Sequence, residues 1–282
     1  MSPSWKSTRL DTEAAVVALL IELRGKRWLC RGQSQYYDGL TPKIDRGSRR
    51  NLSRPKKLTL ERRSIDLFRE TARFFAHPGE QGALVDDIVA LMVLRHYGVP
   101  TRLLDWSRSP YVAAYFAVCS DDTKDGEIWS FDEPLYEQEG KKQWGRWPET
   151  TRDGSGDANQ FDAKLTAFTV EEPPDWFICG FYTGFPRQDA QAGVYTMTAR
   201  FGRDHAEAIA HLLGDRSHYH RYVVAAALKP ALRRRLREHH GIWRGSLFPD
   251  TAGAAETAGT VFPGTHQAGP TQQYQLVDMP PP

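Results

Sequence analysis

Residues 94–118 read LRHYGVPTRLLDWSRSPYVAAYFAV, and the fold turns on how that stretch is parsed. An apolar run breaks at Gly98 and Pro100 and resumes at Leu103 and Leu104. Gly98 permits a positive-φ turn, and Pro100 biases Val99 toward an extended backbone. Asp105, Trp106 and Ser107 follow, and Pro110 opens a helix whose apolar face is Val112, Ala113, Tyr115 and Phe116. Arg102, Asp105 and Ser107 therefore lie on or beside a strand-to-helix turn between two buried elements. That geometry suits an anion or a nucleotide, because free N–H groups and the helix dipole favour negative charge.

Upstream, residues 12–24 (TEAAVVALLIELR) have helical apolar spacing, with Thr12 or Asp11 as N-cap and Gly25 as the stop. Residues 27–34 (RWLCRGQS) form a short strand running into a polar loop. An arginine followed by glycine at a strand exit offers a fixed fork of donors where the backbone can be approached closely. The other reading of Arg31 has it tying down the loop Gln33–Leu40 through carbonyls. Residues 41–57 read as a basic loop broken by Gly47 and Pro55. Leu58–Phe75 returns to helical spacing through Leu60, Ile65, Leu67, Phe68, Ala72 and Phe75, beginning at Thr59 or Leu60. Ala83–Arg95 is a further helix, leading into the central stretch.

Downstream, Glu127–Phe131 alternates like a strand. Residues 132–164, polar with Trp144 and Trp147, read as a long insertion or lid. Pro173–Phe181 is short and apolar, and residues 187–197 read as a strand with a polar entry. Asp204–Leu213 is a helix, His220–Leu228 a strand or buried helix, and Pro230–His240 a basic helix stopped by Gly241. Thr251–Ala258 is a small-residue helix, and the Gly/Pro/Gln-rich residues 264–282 read as a disordered tail. These elements predict one α+β domain over residues 1–263, a helical N-terminal half packed on a split, mostly antiparallel sheet. Its cleft lies between the Arg31 strand and the Thr101–Ser107 turn.

At 282 residues, 40% hydrophobic and 11% aromatic, the chain is long enough for a sizeable core. No apolar run reaches the roughly 18 residues of a membrane span, and the N-terminus has no signal-peptide pattern. Cys30, Cys119 and Cys179 are isolated in sequence, which points to reduced thiols and a cytoplasmic location. The net charge of +2 does not by itself declare a nucleic-acid binder. Residues 43–63, however, hold nine Lys/Arg against Asp45 and Glu61, and Lys229, Arg233, Arg234, Arg235 and Arg237 make a second cluster. The first run could track a phosphate backbone or be a solvated segment.

The motifs of several chemistries are missing. No CxxC, HExxH or paired metal-ligand spacing occurs, so no metal is expected; His218 and His220 lack a third ligand. There is no phosphate-cradling glycine loop, no GxGxxG and no GxSxG. Arginines, aromatics and amides suited to holding a polyanion remain. Asp105 could serve such a site, cap the Pro110 helix, or pair with Arg102. Trp106 could be core or a stacking surface.

Five segments, taken in order, carry a family resemblance: WLCRGQ (28–33), ERRSIDLF (61–68), HYGVPTRLLDWSRSPYVAAYFA (96–117), RQDAQAGVY (187–195) and GIWRGSLFPD (241–250). They resemble the FRG domain, over roughly residues 20–260. Cys30 stands where the name-giving motif has an aromatic, Arg95 replaces the usual Gln, and Ala192 the second Gln of a usual Gln-Gln. The order of parts is also similar to that of mono-ADP-ribosyltransferases, which implies an ADP-ribosyltransferase-like fold and NAD as substrate, with no metal. By that likeness Arg31, with Gly32 and Gln33, holds the NAD phosphates or ribose. Ser107 takes the middle-motif role with Thr101 and Arg102 nearby, and either Tyr97, preceded by His96, or Trp106 stacks on nicotinamide. Gln191 falls where the transferases place a catalytic glutamate, so Asp105 or Asp250 would have to supply the negative charge that steadies a ribosyl cation. The resemblance implies a toxin or antiphage effector modifying nucleic acid or protein, its target steered by residues 43–63 and its activity held by an antitoxin or regulator. A non-catalytic nucleotide- or nucleic-acid-binding module of the same fold is the alternative.

Overall fold

The computed structural model describes residues 5–37, 39–144, 168, 170–171, 177–180, 185–259 and 261. The proposed tail at 264–282 and residues 145–164 of the proposed lid lie outside them. The elements run β1 (Lys6–Leu10), α1 (Glu13–Arg24), β2 (Trp28–Gln33), α2 (Arg54–Ala72), α3 (Asp87–His96), β3 (Leu104–Ser107), α4 (Pro110–Val118) and β4 (Gly126–Asp132). There follow α5 (Glu133–Trp144), β5 (Phe177–Gly180), α6 (Pro186–Ala190), β6 (Gly193–Thr198), α7 (His205–Leu213), β7 (Tyr219–Val224), α8 (Lys229–His240), α9 (Arg244–Leu247) and α10 (Thr251–Gly259). The architecture is α+β. No helix among the described residues is long and apolar enough to cross a membrane.

Local chemistry sets most boundaries. Thr12, Asp86, Ser109 and Asp204 cap α1, α3, α4 and α7 by accepting backbone N–H groups of the first turn. Gly98 adopts φ 84° after α3, and the Val99 N–H returns to the Leu94 carbonyl, closing the helix end. Gly241, at φ 64°, ends α8 in the same left-handed region. Because Ser109 caps the Pro110 helix, Asp105 is released from that role.

Among the described residues, seven strands form one sheet in the order β1-β7-β4-β2-β3-β6-β5. Every pairing is antiparallel except the parallel contact of β1 with β7. β2 pairs with β4 along its whole length, from Trp28↔Asp132 to Gln33↔Glu127. Its other edge meets β3 at a single register pair, Cys30↔Ser107. The sheet is thus nearly split at this seam.

Side-chain alternation sends Cys30 and Ile128 to one face, where Val16, Leu20, Val112 and Leu232 of α1, α4 and α8 cover them. Beyond the seam, α2 and α3 cover Tyr195 and Met197 with Ile65, Leu91 and Leu94. The opposite face buries Leu29, Trp106, Trp129 and Phe131 against Tyr136 of α5 and Ile209 of α7. Gly32 lies under α4: a Cβ there would sit 1.9 Å from the Ala113 carbonyl oxygen and 2.6 Å from the Ala117 nitrogen. Its missing side chain serves helix–sheet contact.

Several segments differ from their sequence reading. Residues 41–57 are not an open loop: two 3-10 turns, Lys43–Asp45 and Gly47–Arg49, lead into α2, which begins at Arg54 behind Ser53. The buried face of α2 is Leu58, Glu61, Ile65 and Ala72, whereas Leu60, Leu67 and Phe75 are exposed. Residues 133–144 of the proposed lid are helix α5. The polar entry at 187–191 is mostly the short helix α6, and β6 starts only at Gly193.

Candidate functional site

At the seam, β2 contributes Arg31 and β3 contributes Asp105. Arg31 Nη1 donates to the Asp105 backbone carbonyl at 2.6 Å and lies 3.5 Å from its Oδ2. Arg95, from the last turn of α3, grips the same carboxylate: Nη2 donates to Oδ2 at 2.5 Å and Nε at 2.9 Å. Side-chain exposure is 12% for Arg31 and 14% for Arg95 but 37% for Asp105, so the carboxylate marks where the seam opens to solvent. Asp105 pairs with these two arginines; Arg102, the partner in one of the three roles open to Asp105 in the sequence, pairs with Glu61 instead.

Charge at the seam is unbalanced. Arg46 and Lys43, from the turns before α2, add their fields to those of Arg31 and Arg95, while Asp105 and, beside Arg46, Asp204 oppose them. Burial tends to raise the Asp105 carboxyl, but Arg95 and then Arg31 outweigh it and hold it below the ordinary aspartate range. Burial lowers Arg31, and repulsion by Arg95 and Arg46 adds to it against the pull of Asp105. A guanidinium keeps its proton in proteins, so this shift expresses unrelieved repulsion and desolvation. Arg31 Nε is buried and has no hydrogen-bond partner among the described residues. An anion beside the seam would relieve the repulsion among these cations; phosphate oxygens suit a guanidinium fork particularly well.

The other candidate residues fall into two groups. Ser107, Gln191, His96 and Tyr97 lie along the same flank of the seam. Ser107 Oγ donates to the Gln191 carbonyl at 2.7 Å and accepts the Ser109 N–H at 3.0 Å, so it fixes the turn. Gln191 Nε2 donates to the Leu247 carbonyl at 3.0 Å, and Ala192 beside it is left-handed at φ 46°. His96 is held neutral, lowered to about 3 by burial and then by Arg187, and its Nε2 is buried without a partner among the described residues. Tyr97 is half exposed; its hydroxyl donates to Glu80 Oε1 at 2.7 Å, and the Arg187 guanidinium sits 4.6 Å from its ring centroid. Arg187 in turn pairs with Asp250.

A second group is built into the interior. Gln33 is buried and donates to Glu127 at 3.3 Å. The Thr101 hydroxyl accepts the Leu103 N–H at 3.3 Å. Arg102 is fully buried on Glu61, its Nε 3.0 Å from Oε2. Trp106 packs edge-on against Phe131 and donates its Nε1 proton to Thr196 at 2.9 Å, which makes it core. In this structure these four hold the walls and offer no face to a ligand.

The basic run 43–63 is largely consumed by the fold. Lys57 is buried on Asp45 at 2.6 Å, Arg54 donates to the Ala199 carbonyl, Arg49 to the Lys43 carbonyl and Arg62 to Asp87. Lys43 and Arg46 donate to the carbonyls of Gly98 and Thr41. Arg50, Lys56 and Arg63 stay exposed. The run is therefore no continuous phosphate track, because tertiary partners take most of its donors. Sequence reasoning missed Arg95, Arg46 and Lys43 as parts of the seam. Only the packing of α3 and the 3-10 turns against β3 brings them together, and no local spacing announces it. Among the described residues, no group of three or more His, Cys, Asp or Glu could hold a metal ion.

No curated protein and no solved structure matches the chain. Of the five segments that carry the family resemblance, the first three, through the seam and α4, fall within a matched region and the last two beyond it. That region is residues 26–126, matched by the family model of the FRG domain, and the match supports the FRG family for this part of the chain.

Proposed function

We propose that the seam binds the pyrophosphate of NAD and that the chain is an NAD-dependent mono-ADP-ribosyltransferase. The observation that carries the reading is the cation excess around Asp105, with Arg31 under-compensated and its Nε buried without a partner among the described residues. A dinucleotide brings two adjacent phosphates, which match several guanidinium groups better than a single carboxylate does. In the transfer, the bond between ribose C1′ and the nicotinamide nitrogen breaks and nicotinamide leaves. A nucleophile on the target then bonds to C1′ and gives up its proton. Arg31 and Arg95 hold the phosphates, Ser107 positions the turn through Gln191, and Asp105 is the nearest carboxylate to oppose charge developing on the ribose. The toxin or antiphage role, an antitoxin partner and a nucleic-acid or protein target follow from the family likeness alone.

One observation favours a second reading, a non-catalytic nucleotide-binding module. Asp105 is already neutralised by two arginines, and the Gln191 amide is bonded to Leu247. Nicotinamide release from NAD by the purified protein, with and without RNA, DNA or cell lysate, decides between them. The transferase reading expects release that disappears in Arg31→Ala while the fold is retained. Absence of release under every condition, with nucleotide binding intact, selects the module.

A further inference from the structure

The cations of the seam extend to an aromatic rim. The loop leaving β2 exposes two adjacent rings, Tyr36 at 58% and Tyr37 at 43%. The Arg46 guanidinium lies 5.7 Å from the Tyr37 ring centroid, and its Nε is anchored on the Thr41 carbonyl at 2.7 Å. The charge of the same Arg46 acts on Arg31 and Lys43 inside the seam. One arginine therefore borders both the phosphate-attracting cluster and an exposed aromatic face. Tyr36 has different company: it faces Arg221 at 5.5 Å, and Arg221 is 3.5 Å from the buried carboxylate of Glu127, which disfavours an anion on that side.

We infer that Tyr37 is a nucleobase platform for the seam. A nucleotide places its phosphates among Arg31, Arg46 and Arg95 and lays its base on the Tyr37 ring. Inorganic polyphosphate would satisfy the cations alone; the exposed ring adds affinity only for a ligand with a flat π-face, whichever base it carries. The inference rests on the reading that the seam holds a nucleotide and adds which part of the nucleotide is recognised outside the phosphates.

Calorimetric titration with ADP and, separately, inorganic pyrophosphate tests it in wild type, Tyr37→Ala and Tyr37→Phe. Loss of one base–aromatic stack weakens ADP roughly tenfold in Tyr37→Ala. Pyrophosphate affinity stays at the wild-type value, and Tyr37→Phe binds both ligands as wild type does. Equal weakening of both ligands would reduce Tyr37 to a prop for Arg46 and overturn the inference, as would unchanged ADP affinity or a wild type that binds neither ligand. Tyr37-dependent ADP binding without nicotinamide release leaves the platform standing and removes the transferase. Nicotinamide release with ADP affinity indifferent to Tyr37 removes the platform alone.

Discussion

Arg102–Glu61 and Arg95–Asp105 join the two ends of one short segment to neighbouring helices, yet the surroundings give the two pairs different work. Arg102 and Glu61 are buried almost completely, and the carboxylate also accepts the Arg102 backbone N–H at 3.2 Å. The Phe201 ring covers the guanidinium at 4.2 Å. Asp105, by contrast, is 37% exposed and carries the pull of Arg31 and Arg95 together, with Arg46 and Lys43 close behind. A closed, balanced pair fixes where α2 meets the entry of β3. An open, unbalanced one leaves positive potential at the surface, where a ligand can use it.

The comparison breaks most sharply at Glu61. In Glu61→Ala the Arg102 guanidinium stays buried without its carboxylate, and removing one partner of a buried pair destabilises by about 3–5 kcal/mol. Urea unfolding followed by circular dichroism measures it. A loss no larger than that of a surface substitution would mean that water or another acceptor reaches Arg102, and the contrast between the two pairs would collapse.

Asp105→Asn should do something different. The carboxylate is partly solvated but both guanidinium groups are mostly buried, so the loss of stability, about 1–3 kcal/mol, falls below that of Glu61→Ala. Removing the only carboxylate among the described residues that contacts Arg31 and Arg95 directly leaves the cluster more positive, so pyrophosphate binds more tightly than to wild type, most clearly at low salt. The same substitution abolishes nicotinamide release if Asp105 opposes the ribosyl charge. Weaker pyrophosphate binding in Asp105→Asn would show that the carboxylate's main service is to aim the two arginines.

What could be read from the sequence was local. Caps at Thr12, the positive φ of Gly98, the helix after Pro110 and the stop at Gly241 follow from the conformational and hydrogen-bonding preferences of single residues. The strand carrying Arg31 and the turn carrying Asp105 were legible for the same reason. β1 was not, because KSTRL is a polar strand paired on one side only, without an apolar alternation. The face of α2 was misjudged because a buried Glu61 reverses the usual polarity: the carboxylate points inward to Arg102, and Leu60 and Leu67 turn out. Arg95 enters the sequence only as the end of a helix and a departure from a usual Gln; its approach to Asp105 depends on the Gly98 turn folding α3 back on β3.

The smallest effect is expected in the basic run, and it marks the edge of the seam. Lys56 and Arg63 are exposed on α2, whereas Lys43 and Arg46 sit within electrostatic reach of Arg31 or Asp105. The double variant Lys56→Gln, Arg63→Gln should alter stability by no more than about 0.5 kcal/mol, as surface changes away from special contacts do. Its pyrophosphate affinity at physiological salt should match wild type, because solvent-exposed charges that make no direct contact with the cluster are largely screened. A marked loss of pyrophosphate affinity in this variant would extend the anion site along α2 and return the basic run to the role its composition first suggested. An unchanged affinity confines recognition to the cations that the fold, and not the sequence run, gathers around Asp105.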